Sequence, residues 1–193
     1  MLSEFIDFCT ELFPSISPYT KEQAKVAMEQ FETVRTPRLA ETCDEFDMLQ
    51  GDIFSEIPFY YTDEDGKLRI IKRKALLLSN TCDASRDRIL LFAAIHPLQD
   101  FSSNPSMVST IKQNKKYSAF YLPDQCLADE YVDFELINSM SRETFLAMHE
   151  KKKVNRLATL TLVGYYMLIC KMTVFFMRPE DVQVNNSRMQ ESL

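Results

Sequence analysis

The sequence predicts an α+β protein with a small β-barrel at its centre and helices before and after it. Apolar residues recur at helical spacing near the start of the chain, whereas between residues 51 and 97 they alternate or run continuously, as in strands. The 193-residue chain is 46% hydrophobic, which is enough to form a core without disulfides. We predict one compact unit made of N-terminal helices (1–48), the β-barrel (49–138), C-terminal helices packed on the barrel (139–179) and a disordered tail (180–193).

The first part of the chain predicts two helices separated by a breaker. Helical spacing relates four apolar residues: Phe5, Phe8, Leu12 and Phe13. The prolines at the ends of Pro14–Pro18 then interrupt this pattern. Thr20 and Gln23 form a capping box, which opens a second helix that continues to about Val34.

The middle of the chain predicts an antiparallel sheet. Strands are predicted at Asp52–Tyr61, Lys67–Ser79, Arg88–Ile95, Tyr117–Leu122 and Tyr131–Ile137. Turn chemistry at Asp63–Gly66 separates the first two of these strands. Ala75–Leu78 and Ile89–Ile95 are continuously apolar. The strands that contain them must therefore be central, covered by helices or by the opposite wall of a barrel.

Helical signals return in the second half of the chain. Asn104–Asn114 predicts a short helix with Pro105 in its first turn. Ser141 is expected to cap another helix, since Glu143 suits its first turn and Lys151–Lys153 suits its end.

Leu157–Met177 has two interpretations. It is long enough to cross a bilayer and has basic residues on both sides. Threonines and Lys171 dilute it, however, and one lysine costs roughly 2.5–3.5 kcal/mol on insertion scales. We favour a core helix that is apolar nearly all round because it is packed on several sides.

Composition argues against several classes of function. Only three glycines are present, so phosphate-cradling loops are largely excluded. The five cysteines are scattered, which suits buried thiols in a reducing compartment better than a disulfide framework or a metal knuckle. The acidic N-terminus lacks the basic region of a signal peptide. We expect a cytoplasmic protein with no cofactor, no metal and no membrane partner. The net charge of −6 disfavours coating of a nucleic acid, although a local basic patch could still bind one.

Two histidines are available for acid–base chemistry, and both have an ordinary explanation. His149 lies near the end of a predicted helix beside lysines, where a solvated surface side chain is favoured. His96 ends a buried strand immediately before Pro97, so its side chain should emerge at the rim of the sheet. A hydrogen bond to a loop carbonyl is the competing explanation for His96.

A basic run on the second predicted strand contains Lys72, Arg73 and Lys74. Alternation along a strand puts Lys72 and Lys74 on one face and Arg73 on the other. A guanidinium at the rim of a barrel suits phosphate binding and stabilisation of transition-state charge. An edge strand protected by lysines explains the same run equally well.

The loop after that strand carries a thiol, a carboxylate and a hydroxyl close together. Cys82, Asp83 and Thr81 could form a nucleophile or metal site if His96 returned beside them. We favour the other interpretation, in which Asn80, Thr81 and Asp83 make side-chain turns that shape the loop.

Four short motifs occur in order along this region: Gly51-Asp52-Ile53, Ser55–Pro58, Arg73–Ser79 and Leu90–Pro97. In this order, Gly51–Pro97 resembles the MazF/PemK-like toxin family. The resemblance implies an SH3-like barrel and metal-independent cleavage of single-stranded RNA. It also implies that Arg73 matches the family's arginine before the apolar strand, and that His96 lies at or beside the position of its catalytic threonine. Lys74 replaces the family's proline, and no threonine ends the strand before Pro97.

Two functions follow as hypotheses. In the first, the chain is a toxin or phage-defence ribonuclease in which Arg73 binds the scissile phosphate and His96 transfers the proton. Residues expected to contact substrate are Lys72, Lys74, Asn80, Thr81 and Asp83. Its partners would be single-stranded RNA and an antitoxin-like protein. In the second, the barrel is catalytically inactive and serves as a protein-binding or homodimerisation module.

Overall fold

The structure is a computed structural model that describes residues 40–41, 48–122, 127 and 129–177. Its strands are β1 (Ala40–Glu41), β2 (Ile53–Thr62), β3 (Leu68–Leu77), β4 (Ile89–Pro97), β5 (Ala119–Tyr121), β6 (Glu130–Ser141) and β7 (Arg156–Leu160). Its helices are α1 (Thr81–Arg86), α2 (Pro105–Lys112), α3 (Arg142–Glu150) and α4 (Leu162–Met177), with a 3₁₀ turn at Leu98–Phe101. The α+β class is confirmed. The predicted helices within 1–39 and the predicted tail at 180–193 lie outside the described residues.

The strands form an antiparallel sheet in the order β1-β7-β2-β3-β4-β6-β5. This order is open, so the predicted closed SH3-like barrel is wrong for the described part of the chain. β7 occupies the edge of β2 at Ile53 and Phe54, and β5 occupies the edge of β6 at Tyr131–Asp133. The far halves of β2 and β6 do approach one another, because the Asn138 side-chain amide contacts the Tyr60 backbone. A side-chain contact thus stands where a closed barrel would have a backbone ladder.

Both faces of the central strands are buried, as their continuous apolar sequence predicts. On one face, Leu76 of β3 and Ala93 of β4 belong to a core that includes Leu168 of α4. On the other face, Phe54, Phe92 and Phe145 of α3 pack with ring centroids 4.9–6.1 Å apart. Phe54 meets the other two rings edge to face, whereas Phe92 and Phe145 stack. Both arrangements contribute beyond the area they bury.

Helix caps place α2 and α3 as expected. The Asn104 side chain accepts a hydrogen bond from the Met107 backbone, and Pro105 follows at the first helical position. The Ser141 hydroxyl accepts from the Thr144 backbone at the start of α3. In each case a side-chain oxygen satisfies an amide that the first helical turn would leave without a partner.

The prediction of one helix over Leu157–Met177 is wrong, because the segment divides between β7 and α4. The apolar run continues across the change of structure, so its hydropathy does not reveal the boundary. β7 pairs on both sides, with β1 and β2, and this pairing selects the extended form. In the described part of the chain, no helix is both long enough and apolar enough to cross a membrane.

Helix α4 carries a buried lysine, Lys171, whose ammonium group is satisfied by backbone carbonyls. The side chain is only 5% exposed, and its ammonium donates to the carbonyl oxygens of Asn114 and Lys116, both at 2.7 Å. These carbonyls lie just after α2, so the lysine ties α4 to the α2–β5 connection. Burial lowers the pKa of Lys171 to about 8.

Gly51 and Asp52 stabilise the chain where β2 begins, through a close approach to Leu160 and a buried carboxylate. Gly51 has φ +94°, and a Cβ atom there would lie 2.7 Å from Leu160 Cδ1. Asp52 is fully buried, and its carboxylate accepts from the Leu49 backbone at 3.0 Å and from Arg156 at 3.1 Å. This pair therefore joins the start of β2 to β7.

Candidate functional site

The residues with the strongest claim to chemistry, Arg73 and His96, lie on the neighbouring strands β3 and β4. The ladder between these strands pairs Ala75 with Ala94 and Leu76 with Ala93. The ladder ends at Ala75 and Ala94, and its register, extended by two residues along each strand, puts Arg73 opposite His96. Side chains directly opposite each other in an antiparallel pair share a face, so both point to the side of Ala75 and Ala94.

Strand β6 adds one aromatic and one acidic side chain to this face, those of Tyr131 and Asp133. His96 pairs with Tyr131 across the β4–β6 ladder, and Ala94 pairs with Asp133. The His96 and Tyr131 rings stack with centroids 5.9 Å apart. The Asp133 carboxylate lies 4.0 Å from His96 Nε2, and the Asp100 carboxylate lies 3.9 Å from His96 Nδ1. Both distances are too long for hydrogen bonds, so the carboxylates act on the imidazole through charge.

Two nitrogens of this group are buried without a hydrogen-bond partner. They are His96 Nε2 and Arg73 Nε. A buried donor or acceptor left unsatisfied costs about 1–3 kcal/mol, and most native polar groups avoid that cost. Two such atoms on adjacent strands, beside the Asp133 carboxylate, make this a candidate site for a polar ligand or an ordered water. We call Arg73, His96, Tyr131, Asp100 and Asp133 the His96 cluster.

Burial sets the protonation states in the His96 cluster. Burial is the largest influence on the pKa of His96 and brings it below 6.5. The Asp133 carboxylate opposes this shift, the Arg73 guanidinium adds to it, and the Asp100 carboxylate opposes it. The imidazole is therefore largely neutral near pH 7 and able to accept a proton. Burial raises the pKa of Tyr131 to about 12, with further increases from Asp133, Asp100 and Glu135, so its phenol keeps its proton.

Lys72 and Lys74 do not join the His96 cluster. Strand alternation directs both to the opposite face from Arg73, as the sequence indicates. Lys74 donates to the Glu130 carboxylate at 2.8 Å, and Lys72 lies 3.8 Å from Glu56. Neither lysine therefore extends the surface around Arg73 and His96.

Asn80, Thr81 and Asp83 also lie away from the His96 cluster, beyond the other end of β3. The Asn80 side chain accepts from the Cys82 backbone at 3.0 Å and caps α1, which contains Thr81 and Asp83. Thr81 Oγ1 accepts from the Gln50 backbone at 3.0 Å. These contacts match the loop-shaping interpretation, and neither a shared nucleophile nor a shared metal site with His96 is formed.

Asp100, Tyr131 and Asp133 belong to the His96 cluster, although their sequence surroundings do not predict it. Tyr131 and Asp133 are two residues apart on β6, so they share a face, but nothing local indicates that β6 pairs with β4. That pairing contains a register shift between Ala93 and Ala94, which sets where Asp133 meets the ladder. Among the described residues, no group of three or more His, Cys, Asp or Glu side chains has the geometry to hold a metal ion.

Comparisons with known proteins add little to this geometry. No protein-family model matches the chain, and no curated protein matches it. Three solved chains match it. One belongs to a crystal structure of MazE–MazF (form II) from Deinococcus radiodurans, is 13% identical with a TM-score of 0.39, and the match covers 69% of this chain and 99% of that chain. We draw no functional conclusion from a likeness with that TM-score.

Proposed function

We propose that this chain is an endoribonuclease that cleaves single-stranded RNA at the His96 cluster, with Arg73 and His96 as its catalytic residues. The observation that carries the proposal is the pairing of two buried, unpartnered nitrogens, His96 Nε2 and Arg73 Nε, on one face of adjacent strands. A phosphodiester supplies acceptor oxygens for a guanidinium and a nearby hydroxyl for an imidazole.

The cleavage step follows from the charges in the cluster. Neutral His96 accepts the proton of a substrate 2′-hydroxyl, and the 2′-oxygen attacks the adjacent phosphorus. The bond from phosphorus to the 5′-oxygen breaks, and that oxygen takes a proton from solvent. The products are a 2′,3′-cyclic phosphate and a 5′-hydroxyl end. Arg73 stabilises the negative charge that develops on the phosphoryl oxygens.

Asp133 serves as a positioning residue in this scheme. Its carboxylate lies 4.0 Å from His96 Nε2 and stabilises the imidazolium formed when the proton is transferred. The protein carries a net charge of −6, so RNA must be attracted locally, and Arg73 provides that attraction within the cluster.

RNA cleavage by purified variants tests the proposal. His96→Ala is expected to lower kcat by about 10²–10⁴-fold, the usual contribution of a general base. Arg73→Ala is expected to lower the rate by a comparable factor, since it removes transition-state charge stabilisation. Arg69→Ala is the matched control, because Arg69 lies on the same strand but pairs with Asp63 at an exposed position.

Analysis of the cleaved ends completes the test. The upstream fragment should end in a 2′,3′-cyclic phosphate and the downstream fragment should begin with a 5′-hydroxyl. An RNA with 2′-deoxyribose at the cleaved position should resist cleavage. Equal activity in the wild type, Arg73→Ala and His96→Ala would refute the assignment of the His96 cluster.

A homodimerisation module is the second candidate, and one observation favours it. Tyr60, Leu68 and Ile70 are 47%, 68% and 61% exposed at the end of the β2–β3 hairpin. Tyr60 pairs with Ile70 and Leu68 pairs with Thr62, so these side chains share one face. Exposed apolar groups of this kind mark interaction surfaces. Light scattering should show a dimer that Ile70→Glu converts to a monomer; a monomeric wild type would exclude this candidate.

A further inference from the structure

A second candidate site lies at the other end of β4 from His96, where β4 begins and α3 starts. A half-open cleft of about 640 Å³ is lined there by Arg86, Arg88, Ile89, Ser141, Arg142 and Leu146. Small-molecule sites commonly occupy about 300–1,000 Å³, so the cleft is large enough for a small ligand. We call it the arginine cleft.

Backbone contacts hold two of the three guanidinium groups in place. Arg86 Nε donates to the Cys82 carbonyl at 3.0 Å, and Arg142 Nε donates to the Ala84 carbonyl at 3.1 Å. Because each contact uses Nε, the terminal nitrogens of both groups remain available to a ligand. The Arg142 amide also donates to the Arg88 carbonyl at 2.8 Å, which fixes the start of α3 against the start of β4.

The carboxylates that line the arginine cleft neutralise its positive charge only in part. None of its three arginines forms an ion pair with a carboxylate of the described residues. Asp87 and Glu143 also line the cleft, which leaves three positive groups against two negative ones. The nine-residue helix α3 begins here, capped by Ser141, and its amino end adds positive potential. An excess of positive charge in a protein of net charge −6 indicates an anionic ligand.

The apolar and acidic residues that line the cleft restrict the kind of anionic ligand that it can bind. Ile89 is 51% exposed and forms an apolar wall together with Leu146. Glu143 offers carboxylate oxygens that accept hydrogen bonds from hydroxyl or amino groups. A ligand that satisfies all three features carries a phosphate, a hydroxyl-bearing part and an apolar or planar part.

We propose that the arginine cleft binds a nucleotide, with Arg88 and Arg142 holding its phosphate groups and the base lying against Ile89 and Leu146. Paired guanidinium nitrogens match phosphate oxygens in geometry as well as charge. The inference is independent of RNA cleavage, because it uses none of the residues of the His96 cluster.

Isothermal titration of the full chain with ADP and with inorganic pyrophosphate tests the proposal. ADP is expected to bind saturably and more tightly than pyrophosphate, since only ADP contacts the apolar wall. Arg88→Ala and Arg142→Ala are each expected to weaken ADP binding by about tenfold or more, the usual effect of losing hydrogen bonds to a charged group. Arg142→Lys should give an intermediate loss, because it keeps the charge but not the paired donors.

Two controls keep the result interpretable. Lys153→Ala removes one exposed positive charge just beyond the far end of α3 and should leave ADP affinity unchanged. Arg88→Ala removes a side chain that has no hydrogen bond within the described chain, so it should fold as the wild type does. Absence of ADP binding, unchanged affinity in Arg88→Ala, or pyrophosphate binding as tight as that of ADP would each overturn the proposal.

Discussion

Replacing Gly51 with alanine should destabilise the fold far more than an average glycine substitution. Gly51 has φ +94°, where an L-residue costs about 1–2 kcal/mol. The added Cβ would also lie 2.7 Å from Leu160 Cδ1 and 2.9 Å from Leu160 Cγ. Overpacking in a core costs typically about 1–3 kcal/mol. Together the two effects predict a loss of roughly 2–5 kcal/mol in the free energy of unfolding.

Gly66 provides a matched control for this prediction. It has φ +76°, but an added Cβ would meet no atom within 4 Å. Gly66→Ala should therefore cost only the backbone strain, about 1–2 kcal/mol. Urea unfolding of both variants, followed by circular dichroism, measures the difference.

A double variant separates the contact from the strain. Adding Leu160→Ala to Gly51→Ala removes the clash, so the Gly51 substitution should cost less in that background than in the wild type. Equal destabilisation by Gly51→Ala and Gly66→Ala would refute the reasoning. It would mean that β7 moves away from the start of β2 at no cost.

Three further predictions follow from the core and the buried ionisable groups. Because burial lowers the pKa of His96, kcat/KM for RNA cleavage should rise with pH around an apparent pKa below 6.5. Asp133→Asn should lower this apparent pKa further, because Asp133 raises the pKa of His96. An apparent pKa above 6.5 in the pH profile of kcat/KM would contradict this prediction. The folded pKa of Lys171 is lowered to about 8 from 10.5, so its burial cost is present in full below pH 8 and decreases as the pH rises towards 10.5. Urea unfolding should therefore show a rise in stability over that interval that Lys171→Met lacks, and parallel curves would contradict it. Phe145→Ala should lower the free energy of unfolding by about 3–5 kcal/mol, because Phe145 is fully buried against the rings of Phe54 and Phe92. Urea unfolding measures this loss, and a value under about 1 kcal/mol would contradict the prediction, because the core would then have closed the cavity left by the ring.

Features fixed by neighbouring residues could be predicted from the sequence. The caps at Asn104 and Ser141 depend on one side chain and the next turn of backbone, and both form as expected. The central position of β3 and β4 follows from continuous apolar sequence, which only a strand covered on both faces can bury.

Features that depend on strand pairing could not be predicted. Hydropathy gives the same signal for Arg156–Leu160 as for the helix after it, and only pairing with β1 and β2 makes the first part a strand. Barrel closure depends on whether β2 and β6 form a ladder, and no local pattern encodes that. The presence of Asp133 in the His96 cluster could not be predicted for the same reason, since it depends on the register shift between β4 and β6.

The two proposed sites should act independently because β4 separates them. Arg88 lies immediately before β4 and His96 lies near its end, so the backbone between them spans roughly 26 Å at about 3.3 Å per residue. At that distance, exposed charges are largely screened at physiological ionic strength. Arg88→Ala should therefore leave the rate of RNA cleavage unchanged, and Arg73→Ala should leave ADP affinity unchanged. If either variant impaired both activities, one extended ligand-binding surface along β4 would have to replace two separate sites.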